Sequence, residues 1–405
     1  MKLIRQPGYD LNERPFMVIW ETTHACDLAC RHCRAEAQPD HDPLALSTEE
    51  AKHLLDQVEG FGRPHPIFIF TGGDPFKRAD LFELVRYAGE IGVPPAVSPS
   101  GTPLLTSDNL RALKGAGAKA ISLSIDGSTP RRHDDFRGAP GSFEWTTNGW
   151  RTARAIGLKT QINTTVTRYN LHDLPQVFRL VQDIGAMTWS LFFLVPTGRG
   201  RHEDEISPAE YEAVMNFLYD VSKYISAKTV EGHHYKRVVL QRAILEEKGV
   251  PPEDYLTLHA VYHELSAGLE QVIRQAGLPP RADSIRRTPM HINAGNGFVF
   301  VSRRGDVFPS GFLPASAGNV RKQSLVEIYR KAPLFRDLRD TTKYGGRCGL
   351  CEFVGVCGGS RSRAYAVTGD ALAEEPYCTY QPGTFPFQTE VANQLASTAS
   401  LIKQE

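Results

Sequence analysis

The sequence predicts an α/β chain: a parallel sheet or incomplete (β/α) barrel of six strand–helix repeats, followed by a smaller cysteine-bearing unit. Three observations carry this. From residue 17 to about 196, short β-branched or aromatic runs alternate with longer amphipathic stretches, the pattern of repeated βα units. At 405 residues the chain is long enough for one large domain and a smaller one. All seven cysteines fall in two groups, Cys26, Cys30 and Cys33 near the start and Cys348, Cys351, Cys357 and Cys378 near the end.

The predicted strands, in order, are MVIWETT (17–23), PIFIFTG (66–72), PAVSPSG (95–101), AISLSID (120–126), KTQINTTVT (159–167) and TWSLFFLVP (188–196). Helical spacing lies between them, as in STEEAKHLLDQV, where Ser47 or Thr48 with a carboxylate just downstream forms an amino-terminal cap. In such architectures chemistry sits at the carboxyl ends of the strands. The cysteine triad follows strand one, TGGDP strand two, SPSGT strand three and SIDG strand four, with Asn163 near the end of strand five. Residues 200–290 are charged and helical, with an extended segment, TVEGHHYKRVVL, between two helices. Residues 296–314 read as a hairpin turning at Arg304-Gly305-Asp306, and SLVEIYRKAPLFRDLRD as a helix. The last twenty or so residues read as a peripheral tail.

Forty-six basic residues balance 46 acidic ones, so net charge gives no reason to expect a nucleic-acid or anionic-membrane partner. The opening MKLIRQPGYD is mixed and polar, and no run approaches a membrane span, which reads as a cytoplasmic protein. An odd number of clustered cysteines in a reducing compartment points to metal ligation rather than disulfides.

Cys26-x3-Cys30-x2-Cys33 offers three thiolates on one tight loop. Cysteines packed as small hydrophobes account for it poorly, because Asp27, Arg31, His32 and Arg34 make the loop polar. A cubane cluster takes four thiolates, so three leave one iron open to another ligand. The spacing, its place after the first strand and the glycine pair after the second together resemble the radical SAM superfamily. That resemblance implies a partial (β/α)6 TIM-like barrel, a [4Fe-4S] cluster and S-adenosylmethionine (SAM) on its open iron, reductively cleaved to a 5′-deoxyadenosyl radical. It implies that Cys26, Cys30 and Cys33 hold the cluster and that His32, in the family's usual aromatic position, meets the adenine. Gly72-Gly73-Asp74-Pro75 resembles the family's Gly-Gly-Glu-Pro turn, which holds the methionine ammonium. Ser100 and Ser124 become candidate ribose contacts, Arg137 a candidate for the SAM carboxylate, and Asn163 for the nucleoside. Asp126 is either a catalytic-face carboxylate or a turn former.

On its own, Cys348-x2-Cys351-x5-Cys357-x20-Cys378 suits a zinc ribbon, since four thiolates close a tetrahedral site. Beside the triad it resembles the SPASM or "twitch" extensions of radical SAM enzymes, which implies a small C-terminal iron–sulfur domain and an electron-transfer cluster. Ser310 stands where full SPASM domains carry a hairpin cysteine, so one auxiliary cluster is implied, two in all. The implied division is a barrel (1–200), a bridging helical region (201–295), the auxiliary-cluster domain (296–385) and a tail (386–405). SIDG, HDDFRG, QINTTVTR and CGGSRSRAYAVTGDALAEEPYC are similar to enzymes of oxygen-independent heme pathways that decarboxylate tetrapyrrole propionates, and to maturases of ribosomal peptides. Either substrate would require an electron donor such as flavodoxin or ferredoxin. His233, His234, Tyr235 and Arg237, read as strand residues, and Arg199 and Arg201 are candidate substrate contacts or ordinary polar residues. The alternative of another class is a non-catalytic metal-binding or redox-sensing protein.

Overall fold

The computed structural model describes residues 10–281 and 291–403; the opening residues 1–9 and part of the bridging region, 282–290, lie outside it. All six predicted strands form: β1 (Met17–Thr23), β2 (Ile67–Gly72), β3 (Pro95–Val97), β4 (Ala120–Ser124), β5 (Lys159–Val166) and β6 (Thr188–Phe193). Each pairs in parallel with the next. The period-2 pattern explains the facing: Thr160, Ile162, Thr164 and Val166 of β5 are buried, while Gln161, Asn163 and Thr165 between them are only partly so. One large core unites the strands with their covering helices through Trp20, Phe68, Phe70, Trp150, Phe178 and Trp189, all completely buried. The helix Thr48–Glu59 starts at Ser47 with a full capping box to Glu50 and buries Ala51, Leu54, Leu55 and Val58, one stripe of its surface.

The sheet does not stop at six strands. β7 (Ser226–Val230) adds in parallel beyond β6, and β8 (Phe298–Val301) in parallel beside β1. β9 (Asp306–Phe308) and β10 (Gly318–Asn319) continue antiparallel, giving one ten-stranded sheet ordered β10-β9-β8-β1-β2-β3-β4-β5-β6-β7.

Four expectations change. TVEGHHYKRVVL is not one extended segment: β7 ends at Val230, and Tyr235–Lys248 is helix. His233, His234, Tyr235 and Arg237 therefore stand at a helix start, because Glu231 takes a positive φ of 55° that turns the chain. β3 ends at Val97, with Pro99 breaking the run. The predicted helix after the hairpin is two, Leu325–Lys331 and Pro333–Arg339, since Pro333 forces Ala332 into extended backbone. The C-terminal residues, expected as a peripheral tail, form the helix Gln388–Lys403, which seats Val391 in an apolar cluster with Leu240, Ile244, Phe353 and Phe385.

Candidate active site and a second cysteine site

The cysteine triad occupies the loop leaving β1, and that loop is clamped by backbone bonds from three sides. Cys26 N donates to Gln38 O (2.8 Å); Ala29 N and Arg31 N donate to Arg137 O and Phe136 O (3.1 Å each); Arg199 N donates to Cys33 O (3.0 Å). The Arg199 guanidinium donates to Cys30 O (3.0 Å) and Ala37 O (3.2 Å), so this arginine braces the loop. Arg201 is exposed and pairs with Glu203. Each triad sulfur accepts one hydrogen bond: Cys26 from Leu28 N (3.4 Å), Cys33 from Ala37 N (3.5 Å) and Cys30 from Arg137 Nη1 (3.6 Å). Donors aimed at sulfur stabilise thiolates, the form that binds iron, against the burial that raises the Cys26 and Cys30 pKa.

Next to the triad lies a polar cavity of about 130 Å³, bordered by Gly72, Gly73, Ser100, Ser124 and Arg137. These come from the ends of β2 and β4, the segment after β3 and the helix Pro130–Arg137, and are residues that the family resemblance implied. His133, the first residue of HDDFRG, also borders it without having been assigned a role, as do Ser142 and Thr146. The glycine pair has a structural requirement of its own. A Cβ on Gly72 would sit 2.1 Å from Thr23 O, and one on Gly73 2.4 Å from Ala25 O, so the turn packs directly on the chain entering the triad loop.

Asp74 and Asn163 do not border this cavity. The Asp74 carboxylate is fully buried, accepting from Thr102 Oγ1 (2.6 Å) and capping its own turn through Phe76 N (3.2 Å). Burial holds its pKa above the usual carboxylate value. Asn163 accepts from Gln161 Nε2 (2.7 Å) and shares a register row with Ser124. His32 stacks on Phe136 at 4.6 Å between ring centroids, and burial pushes its pKa down to about 4, keeping the ring neutral. Asp126 forms a buried ion pair with Arg137 and accepts from Thr165 N (2.7 Å). Burial raises its pKa, but the Arg137 guanidinium beside it outweighs that, so the carboxylate stays charged and holds the guanidinium at the cavity wall.

The four C-terminal cysteines line a second pocket, together with His234, Arg237 and Arg347. Cys348 accepts from Glu375 N (3.3 Å) and Arg361 Nη2 (3.7 Å), and Cys357 from Gly359 N (3.4 Å). Gly358 and Gly359 both take positive φ, 66° and 65°, letting the chain wrap the pocket closely. Among the described residues no three His, Cys, Asp or Glu side chains converge on a single ion-sized point.

A buried polar network joins the two halves and was missed in the sequence. Glu231 accepts hydroxyls from Ser310 (3.0 Å), Ser362 (2.9 Å) and Ser360, and its carbonyl accepts from Arg363 Nη1 (2.8 Å). Arg363, completely buried, also pairs with Glu205 and Glu375 (3.4 Å each). Ser-Arg-Ser-Arg (360–363) reads as solvated sequence, and only the partners supplied by distant segments make its burial affordable.

Residues 20–181 match the family model described as the Radical SAM superfamily. The chain is 42% identical to the AdoMet-dependent heme synthase of Nitratidesulfovibrio vulgaris, over 90% of this chain and 92% of that protein. The chain belongs to the radical SAM superfamily. Another radical SAM relative, the Fe-coproporphyrin III synthase of Methanosarcina barkeri, is 31% identical over 89% of this chain and 87% of its own. The crystal structure of Streptococcus suis SuiB bound to precursor peptide SuiA shares the radical SAM fold, with a TM-score of 0.63 at 14% identity, covering 91% of this chain and 76% of that one. As a radical SAM enzyme the protein uses a [4Fe-4S] cluster and SAM, and the non-catalytic alternative is set aside. The donor set suits those groups: three thiols each with a donor on sulfur, beside a polar cavity walled by a guanidinium. No helix among the described residues is long and apolar enough to cross a membrane.

Proposed function

We propose that this radical SAM enzyme oxidatively decarboxylates propionate side chains of an iron-bearing tetrapyrrole to vinyl groups. The observation that carries this is the 42% identity to an AdoMet-dependent heme synthase along nearly the full length of both chains. Cys26, Cys30 and Cys33 hold the catalytic cluster, and Cys348, Cys351, Cys357 and Cys378 a second one. Bound there, the first cluster would supply the electron for reductive cleavage of SAM, and SAM the 5′-deoxyadenosyl group that takes up a hydrogen atom from the substrate. Arg137, fixed by Asp126, presents its guanidinium to the SAM carboxylate. Ser100 and Ser124 offer hydroxyls to the ribose from the cavity wall, and the neutral His32 ring, backed by Phe136, offers a face to the adenine. Asn163 would reach the nucleoside only by leaving Gln161, and Asp74 caps the turn Pro75–Lys77 that follows the glycine pair, leaving the Gly72–Gly73 backbone to meet the ammonium.

Losing carbon dioxide leaves one electron on the substrate that must go elsewhere. The four-cysteine site, with all its ligands from the protein, is suited to carry that electron rather than to bind substrate. The electron donor to the catalytic site is of the flavodoxin or ferredoxin class, in a reducing cytoplasm that keeps all seven unbridged thiols free. We divide the chain as barrel (1–200), bridging region (201–295), auxiliary-cluster unit (296–385) and terminal segment (386–405).

The test is anaerobic turnover of Fe-coproporphyrin III with SAM and a reductant, followed by mass spectrometry. Each reacting propionate should lose carbon dioxide and two hydrogens, with 5′-deoxyadenosine released. Release of 5′-deoxyadenosine with the tetrapyrrole unchanged, and modification of a precursor peptide instead, would overturn the assignment in favour of peptide maturation.

A further inference from the structure

His234 is 1% exposed, and neither of its ring nitrogens has a hydrogen-bond partner. A buried imidazole without partners is costly, and such groups ordinarily find an acceptor or donor in the native state. The ring lies nearly parallel to Tyr211 at 6.1 Å between centroids, which fixes its plane. It borders the pocket of Cys348, Cys351, Cys357 and Cys378. Arg237 and Arg347 border the same pocket but are held by Glu212 and Glu374, and Glu375 borders it as well, so those guanidinium charges are already balanced, whereas His234 brings ring nitrogens with no partner. Burial, with Arg237 and Arg363 nearby, keeps the imidazole neutral, which leaves one nitrogen as an N–H donor.

We propose that His234 donates a hydrogen bond to the sulfur framework of the iron–sulfur cluster in the four-cysteine site and thereby raises its reduction potential. The inference rests on the reading that these cysteines hold a cluster. A four-thiolate cubane is anionic, and reduction adds one more negative charge. A donor on sulfur therefore stabilises the reduced form more than the oxidised one. His234 is thus a positioning and tuning residue, which makes the site a better acceptor for an electron arriving from the substrate.

The experiment uses the full chain carrying Cys26→Ala, Cys30→Ala and Cys33→Ala, reconstituted with iron and sulfide so that only the C-terminal site is loaded. Failure to bind about four irons would remove the cluster reading, and this inference with it. With iron bound, a redox titration followed by electron paramagnetic resonance compares His234, His234→Leu and His234→Gln. The expected result is a more negative midpoint in His234→Leu, partly restored in His234→Gln, whose amide keeps an N–H. An unchanged midpoint in His234→Leu at full iron content would overturn the inference alone. Should His234→Leu not fold, hyperfine spectroscopy of the 15N-histidine protein decides. Weak nitrogen coupling with an exchangeable proton supports the hydrogen bond, whereas no coupling, or the strong coupling of an iron ligand, refutes it.

Discussion

Arg137 touches Cys30, Asp126 and the polar cavity at once, so the chemistry of the site depends on keeping that guanidinium charged and still. Removing its partner leaves a buried cation uncompensated. Asp126→Ala should therefore cost roughly 3–5 kcal/mol in chemical denaturation and weaken SAM binding, which equilibrium dialysis reads. His133, beside it, accepts from Asp126 N (3.1 Å) and lies within 3.4 Å of Ser142 Oγ. Burial, reinforced by Arg137, pushes its pKa down to about 3. Its unfolded counterpart takes a proton near pH 6.5, so between about 6.5 and 3 the unfolded chain binds more protons than the folded one. Stability from this group is complete above that window and falls as pH drops through it. The urea midpoint should decline from pH 7 to pH 5, and less steeply in His133→Gln. Cys30→Ala should abolish release of 5′-deoxyadenosine while iron analysis still finds about four irons on the C-terminal site.

Local segments hold the reactive loop in place. Gly198 has a φ of 61°, and a Cβ there would lie 2.4 Å from Arg34 O and 2.5 Å from Cys33 O. The segment after β6 thus rests on the triad loop, with Arg199 anchored just beyond. Gly198→Ala should cost roughly 1–3 kcal/mol and reduce iron incorporation at the triad more than it lowers helical content, as metal analysis and circular dichroism would show. At the other end of β7, Glu231 ties the turn to Ser310, Ser360 and Ser362. Glu231→Ala leaves three hydroxyls without their acceptor, a loss of several kcal/mol by the usual cost of about 1–3 for each buried unsatisfied group, visible as a lowered melting temperature.

One ten-stranded sheet links the two halves of the molecule. β1, which leads into the triad, has β2 on one side and β8 from the C-terminal half on the other. A chain ending at Gly295 would expose the β1 edge, with Val18 and Trp20 of that strand losing cover. Such a truncation should elute as aggregate in size-exclusion chromatography, while the full chain remains discrete. Arg363 adds a second tie, donating to Leu194 O (2.9 Å) at the end of β6 while pairing with Glu375 beside the four-cysteine pocket.

Sequence alone carried the six parallel strands, because alternating buried positions such as Ile162 and Thr164 must fall on one face of a strand. It carried the two cysteine groups, and through the resemblance to the radical SAM family the choice of Gly72, Gly73, Ser100, Ser124 and Arg137; strand ends in a parallel array converge on one rim, which agrees with where the first four fall. Other features depend on contacts between residues far apart in the chain. The full burial of Asp74 under Thr102, the role of Arg199 as a brace, the turn at Glu231 and the unpartnered ring of His234 have no local periodicity to announce them. A strand's pattern follows from its own backbone geometry. A buried charge or hydroxyl is tolerable only when a distant segment supplies its partner, and that pairing exists only once the chain has folded.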